Sequence, residues 1–238
     1  MREVNIIMPV KDSIGITEQA IRAITEGGYT LTVYNDYSTA ENTDRLDFLS
    51  KQYGFKLVNL SDLTIHPSPN YLLVLQTAQK QTINECKDLL IIESDVTVKA
   101  DTISFMQAEA AKYENAGIVA AVTEDENGEI NFPYEYAIRL QKKYGNCTVI
   151  TKKRLSFCCT LLTLPFLKTY DFHSLDPEKN WYDVTISHKS SELGFNNLLM
   201  LGNRVLHRPH SSRPWKKLKY TNPLLYYWRK LTQHKDKI

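Results

Sequence analysis

The chain has 238 residues, a net charge of +2 and 42% hydrophobic residues. That length holds one large domain or two small ones, with enough apolar content for a sizeable core. No apolar run approaches the length a bilayer span needs, which excludes a membrane-spanning chain, and the four cysteines form no C-x-x-C pair.

Strands and helices alternate through the first half. Val4-Asn5-Ile6-Ile7-Met8 predicts a buried strand stopped by Pro9. Met1 leads almost directly into it, so no signal peptide is expected, and a reducing, cytoplasmic location follows. The N-x-S/T matches at Asn59 and Asn146 then carry no meaning. Ile16 to Thr25 predicts a helix with Ile16, Ala20, Ala23 and Ile24 on one face, ended by Gly27-Gly28. Leu31 to Tyr34 reads as a second strand, Asp44 to Tyr53 as a helix ended by Gly54, and Phe55 to Val58 as a third strand. Tyr71 to Gln81 reads as a helix, Leu89 to Ile92 as a fourth strand, Thr102 to Tyr113 as a helix and Ile118 to Val122 as a fifth strand. Such alternation predicts an α/β fold, a doubly wound, mostly parallel sheet with helices on both faces.

The second half is less regular. Asp125-Glu126-Asn127-Gly128 predicts a turn, and Arg154 to Leu164 is an apolar run compatible with strand or loop. Cys158 and Cys159 lie in that run and read as small hydrophobes. Trp181 to Leu193 predicts an amphipathic helix, Asn197 to Leu206 a strand ending at His207, Arg208 to Pro214 a loop and Pro223 to Leu231 a short helix. Residues 1–123, 124–212 and 213–238 thus read as a ligand-binding half, an irregular half of the same domain and a tail. The tail is basic: Arg213, Lys216, Lys217, Lys219, Arg229, Lys230, Lys235 and Lys237 are opposed only by Asp236. Such a segment suits phosphate, an anionic membrane surface or nucleic acid. No recognised RNA or DNA module accompanies it, so no nucleic-acid partner is expected.

The chemistry concentrates at strand ends. Leu89-Leu90-Ile91-Ile92 runs straight into Glu93-Ser94-Asp95. Carboxylates at the mouth of a buried strand are costly without a counter-charge, which a metal ion or basic partner supplies. Pro9-Val10-Lys11-Asp12 follows the first strand and Asn35-Asp36-Tyr37-Ser38 the second. Tyr182-Asp183 opens the late helix, and His207 follows about two dozen residues on. In an open α/β sheet, ligands bind where the carboxyl ends of neighbouring strands converge.

In this order the motifs resemble the family-two glycosyltransferases, which have the nucleotide-sugar-binding GT-A fold. The resemblance covers roughly residues 4–212. Asn5-Ile6-Ile7-Met8-Pro9-Val10 is similar to the family's opening strand. Asn35-Asp36-Tyr37-Ser38 is similar to its Asp-Asp-Gly-Ser turn, which holds base and ribose. Glu93-Ser94-Asp95 is similar to its Asp-x-Asp metal motif, and Tyr182-Asp183 to its Glu-Asp pair, whose Asp is the catalytic base. His207 is similar to a late His that helps hold metal or diphosphate. The chain departs from the pattern at Asn35, Tyr37, Glu93 and Tyr182.

The resemblance implies a nucleoside-diphosphate sugar donor, magnesium or manganese, inversion at the anomeric carbon and a glycan or lipid-linked acceptor. It places Pro9, Val10, Asn35, Asp36, Ser38, Glu93 and Ser94 on the nucleotide, Asp95 and His207 on the metal, and Asp183 as base. Each residue also has a plainer role open to it. Asp36 can cap the following helix, Asp183 can be a first-turn acid favoured by the helix dipole, and His207 has rivals in His188 and His210. A nucleotidyltransferase would carry a glycine-rich loop after the first strand, which Pro9 to Ser13 lacks. A non-catalytic sugar-nucleotide binder or scaffold is the alternative that the substitutions at Asn35, Glu93 and Tyr182 keep open.

Overall fold

The computed structural model describes residues 2–179, 181–208 and 222–232. The chain divides into a unit ending at Arg208 and a second beginning at Pro209. In the first, strand β1 (Val4–Val10) leads through α1 (Ile14–Thr25) to β2 (Leu31–Asn35), α2 (Ala40–Tyr53) and β3 (Lys56–Asn59). Then come α3 (Tyr71–Asn84), β4 (Asp88–Ile92), β5 (Val96–Thr97), α4 (Thr102–Lys112) and β6 (Ala116–Glu124). The second half adds α5 (Ala137–Tyr144), β7 (Thr148–Ile150), β8 (Cys159–Leu162), α6 (Leu164–Thr169), α7 (Tyr182–Glu192) and β9 (Asn196–His207). The second unit contributes helix α8 (Pro223–Thr232). No helix among the described residues is long and apolar enough to cross a membrane.

The nine strands among the described residues form one sheet in the order β3-β2-β1-β4-β8-β6-β9-β5, with β7 paired to β9. Strands β1 to β4 are mutually parallel. Strand β8 is antiparallel to both β4 and β6, so β6 keeps the direction of β4, and β9 follows β6. The sheet is therefore mostly parallel, with β5, β7 and β8 reversed.

Period-two alternation sorts side chains onto the two faces. Ile6, Met8 and Val10 join Ile21 and Ile24 of α1, Leu46 and Leu49 of α2, and Met106 of α4. Ile7 turns the other way, onto Val74 and Ala78 of α3, Phe166 of α6 and Ile186 of α7. In β4, Leu90 and Ile92 take the first face and Leu89 and Ile91 the second. Burying each of these side chains contributes roughly 1.5–3 kcal/mol. A strand buried on both faces is what the unbroken aliphatic run requires.

Three local expectations are corrected. Pro9 does not stop β1. The Val10 carbonyl accepts from Asp36 N on the β2 side, at 2.8 Å. Its neighbour Pro9 therefore turns toward β4, whose pairing with β1 ends at Ile7↔Ile91, so no ladder bond needs the missing N–H. The buried face of α1 is Thr17, Ala20, Ile21 and Ile24, while Ile16 and Ala23 are half-buried. The run 154–164 holds both strand β8 and the start of α6, and α5 lies in a segment without a predicted helix.

Candidate active site

The carboxyl ends of β1 and β2 are adjacent, and the turns that follow are tied together. Ser38 Oγ accepts from Asp12 N at 2.9 Å. Asp12 Oδ1 accepts from Thr39 N at 3.0 Å and Asn42 Nδ2 at 2.9 Å. These two bonds, the Asn42 one foremost, hold the Asp12 carboxyl below its ordinary pKa. Lys11 Nζ donates to the carbonyls of Asp36 and Tyr37, at 3.3 and 2.9 Å. Tyr37 has φ 56°, in the left-handed region that favours glycine. Its hydroxyl donates to the Thr64 carbonyl and helps hold that conformation.

Asn35 and Asp36 are both engaged within the protein. Asn35 is buried; its Nδ2 donates to Asn59 Oδ1 at 2.9 Å and Thr43 Oγ1 at 3.1 Å, and its Oδ1 accepts from Ser38 N at 3.2 Å. Asp36 does not cap α2, which Thr39 caps through Asn42 N. Instead its carboxylate accepts from Ser68 Oγ at 2.7 Å, Asn70 N at 2.9 Å and Asn70 Nδ2 at 2.8 Å, anchoring the loop before α3. Asp36→Ala is expected to destabilise the fold by about 1–3 kcal/mol, because it strands these donors. Urea denaturation checks this; an unchanged midpoint would mean the loop is held by other contacts.

Glu93, Ser94 and Asp95 leave β4 at the same edge. Ser94 and Asp95 are buried. Pairing of β5 with β9 sets Val96 opposite His207, and Arg208 N donates to the Asp95 carbonyl at 2.9 Å. This register brings His207 Nε2 to 3.5 Å from Asp95 Oδ2. The other ring nitrogen, Nδ1, lies 2.7 Å from the Phe132 carbonyl. A carbonyl only accepts, so Nδ1 carries the proton and Nε2 faces Asp95. Burial lowers the His207 pKa, but Asp95, Glu93 and the Phe132 carbonyl outweigh it and raise the value overall. Burial raises the Glu93 pKa, and the charge of Asp95 adds to it. The two acids around the imidazole make this a place where positive charge is stabilised. His188, by contrast, is exposed on α7, and His210 lies outside the described residues.

Three residues complete the crevice. Ile92 pairs with Cys159, and Glu93 N donates to the Cys158 carbonyl at 2.9 Å. Cys158 Sγ thereby reaches 3.3 Å from Glu93 Oε2. Both adjacent cysteines are buried in the first core cluster, as read from the sequence; Cys159 Sγ lies 3.7 Å from Met106 Sδ, while Cys158 Sγ also meets Glu93. The Tyr71 hydroxyl is sealed from solvent without a hydrogen-bond partner. Burial raises its pKa well above the ordinary value, and the charges of Glu93 and Asp183 add to the rise. Asp183 opens α7, where its Oδ1 accepts from Val184 N at 2.9 Å. Its charge also raises the Glu93 pKa, so the two acids share one electrostatic environment. Sequence reasoning missed Cys158 and Tyr71. The only signal for Cys158 was its position one residue before a strand.

The donor set suits a divalent cation. A carboxylate oxygen of Glu93, the Cys158 sulfur and a ring nitrogen of His207 lie within 4.8 Å of one another, with Asp95 beside the imidazole. A ligating His that donates its other N–H to a backbone carbonyl is the usual supporting arrangement.

No protein-family model and no curated protein sequence matches the chain. Solved structures do. A mannosyltransferase from Pyrobaculum calidifontis, in complex with GDP-Man and Mn2+, superposes with a TM-score of 0.65 at 13% identity, over 98% of this chain and 64% of that one. TarS from S. aureus, in complex with UDP, gives 0.63 at 14% identity, over 85% and 59%. Glucosyl-3-phosphoglycerate synthase from Mycobacterium tuberculosis, with Mn2+, UDP and phosphoglyceric acid, gives 0.58 at 14%, over 91% and 73%. The chain has the GT-A fold. It spans less than two thirds of the mannosyltransferase and of TarS. In this sheet the carboxyl ends of β1, β2 and β4 share one edge, and Asp36, Glu93 and Asp95 follow them there.

Proposed function

We propose that this chain is a metal-assisted glycosyltransferase. It moves a sugar from a nucleoside-diphosphate sugar to a hydroxyl of a glycan or lipid-linked acceptor, with inversion. The observation that carries the reading is the convergence of Glu93, Asp95 and His207 at the carboxyl edge of a GT-A sheet, within electrostatic reach of Asp183. The solved structures of this fold bound to GDP-Man, or to UDP, with or without Mn2+, support it.

The roles divide as follows. The Pro9-Val10 strand end and the Asn35–Ser38 turn form the nucleotide platform. Asn35 and Asp36 shape that platform through the bonds they make inside the protein, while Ser38 ties it to Asp12. Asp95 and His207 hold the divalent cation, Glu93 meets the same ion or the ribose, and Ser94 lies beside the nucleotide. Such a cation would neutralise the diphosphate leaving group as the sugar–phosphate bond breaks. Asp183 takes the proton of the attacking hydroxyl. The sheet and its sealed core exclude water from one side of this crevice, which strengthens each charge interaction there.

A thermal-shift screen of UDP-, GDP-, dTDP- and CMP-sugars, with and without manganese, tests the reading. A donor at a hundredfold over its dissociation constant stabilises by about 2.7 kcal/mol. A shift that requires manganese is the expected result; no shift with any nucleotide would reject it. One observation favours the second reading, a non-catalytic nucleotide binder: both side chains of the Asn35-Asp36 pair are occupied internally. Donor binding without any transfer would select it.

The tail supports a place at the inner face of the cytoplasmic membrane. Leu224, Tyr227 and Trp228 of α8 are exposed, and the sequence flanks them with Lys216, Lys217, Lys219, Arg229 and Lys230. The first three of those lysines lie outside the described residues. Each basic residue near an anionic surface contributes about 1 kcal/mol, and aromatic rings favour the headgroup layer. The full chain is expected to pellet with anionic liposomes at low salt, and a chain ending at Pro214 to stay in solution. Equal partitioning would assign α8 to packing or oligomer contacts.

A further inference from the structure

The thiol of Cys158 changes the character of the cation site. It is built into the fold by backbone register: Glu93 N bonds to the Cys158 carbonyl, and the next pair in the ladder is Ile92↔Cys159. The side chain is buried, with Sγ 3.3 Å from Glu93 Oε2 and 3.4 Å from Ser156 Oγ. Sulfur, carboxylate oxygen and imidazole nitrogen fall within one 4.8 Å cluster. Ligand atoms around one tetrahedral ion bound at roughly 2.0–2.3 Å sit about 3–4 Å apart, so a small inward movement of these side chains closes the set. A second feature marks the place as built for a ligand. The Tyr71 hydroxyl is sealed from solvent without a partner, within electrostatic reach of Glu93 and Cys158.

We infer that Cys158 is a direct metal ligand and that the site therefore prefers a borderline-soft divalent cation, of the zinc or cobalt class, over magnesium. The inference rests on the glycosyltransferase reading only in sharing Glu93 and His207 with it. Magnesium demands oxygen ligands and keeps its waters. Thiolate and imidazole select zinc-like ions, and affinity rises along the first row toward them. On metal entry the thiol proton, now directed at Glu93, leaves to solvent. Sulfur and carboxylate oxygen then both turn to the ion. A serine at this position would leave a harder set, one that no longer favours zinc over magnesium.

Cobalt reports this directly, because a thiolate bound to Co2+ gives an intense near-ultraviolet charge-transfer band that oxygen and nitrogen ligands do not. The full chain carrying Cys86→Ser and Cys147→Ser, which removes the two exposed thiols, would be titrated with Co2+ with and without UDP. The band is expected, and Zn2+ is expected to displace it where Mg2+ does not. Cys158→Ser is expected to abolish the band and to weaken Zn2+ binding at least tenfold, with Mg2+ binding unchanged. The spectrum of the Cys158-containing protein stands without this variant, should the serine disturb folding. Cobalt uptake without the band, or equal Zn2+ affinity in Cys158→Ser, overturns the thiol's role and leaves the transferase reading intact. Failure to take up cobalt or manganese, even with UDP, overturns both.

Discussion

Asp183→Asn is expected to lower sugar transfer by about 10²–10⁴-fold, the usual contribution of a positioned general base. Donor affinity should stay close to native. Asp183 stands in the first turn of α7, where its Oδ1 accepts from Val184 N, a bond that asparagine's oxygen can also make. Its charge raises the pKa of Glu93 and of Tyr71, so it lies within electrostatic reach of the proposed metal site. The substitution thus removes a proton acceptor while keeping shape and local bonding. A fall in kcat with an unchanged donor dissociation constant is the signature of an interaction made in the transition state. Native turnover in Asp183→Asn would move the base elsewhere.

Asp95→Asn should have the second large effect, on binding. Manganese-dependent donor affinity is expected to fall by at least about 10–100-fold, the loss seen even when a group merely supporting a metal ligand is removed. Chelation by EDTA should have the same consequence in the native chain. Asp95 is buried beside His207, and asparagine preserves its volume. Unfolding is therefore expected to shift by no more than about 1–2 kcal/mol. Calorimetry of the nucleotide with and without manganese separates the outcomes; equal metal-dependent affinity in the variant would remove Asp95 from the metal.

The elements that sequence reasoning located well are those whose own residues decide them. The run Leu89–Ile92 is aliphatic throughout and could only be buried on both faces, which β4 confirms. Gly54, at φ 72°, ends α2 as its position predicts. The start of the site was legible for the same reason: acids directly after a buried strand have few places to go. What escaped depended on partners far away in the chain. Strand β5 has only two residues, too few for a pattern, yet its pairing is what carries His207 to Asp95. Cys158 matters because β8 inserts antiparallel beside β4, a topology that no local periodicity encodes. Asp36 can be read as a helix cap or a ligand; it caps no helix, because Ser68 and Asn70, more than thirty residues on, donate to its carboxylate. Pro9 is tolerated inside β1 because a proline breaks a ladder only where a partner strand needs its N–H.

The proposed function requires a divalent cation and a nucleoside diphosphate to sit together at the carboxyl edge of β4. The most direct measurement is a crystal structure with Mn2+ and UDP, with manganese located by its anomalous scattering. The account predicts a peak bonded to Asp95 and to His207 Nε2, with the diphosphate on its open side and the nucleoside over the Asn35–Ser38 turn. A manganese peak away from Asp95, or UDP bound at a different edge of the sheet, would contradict it.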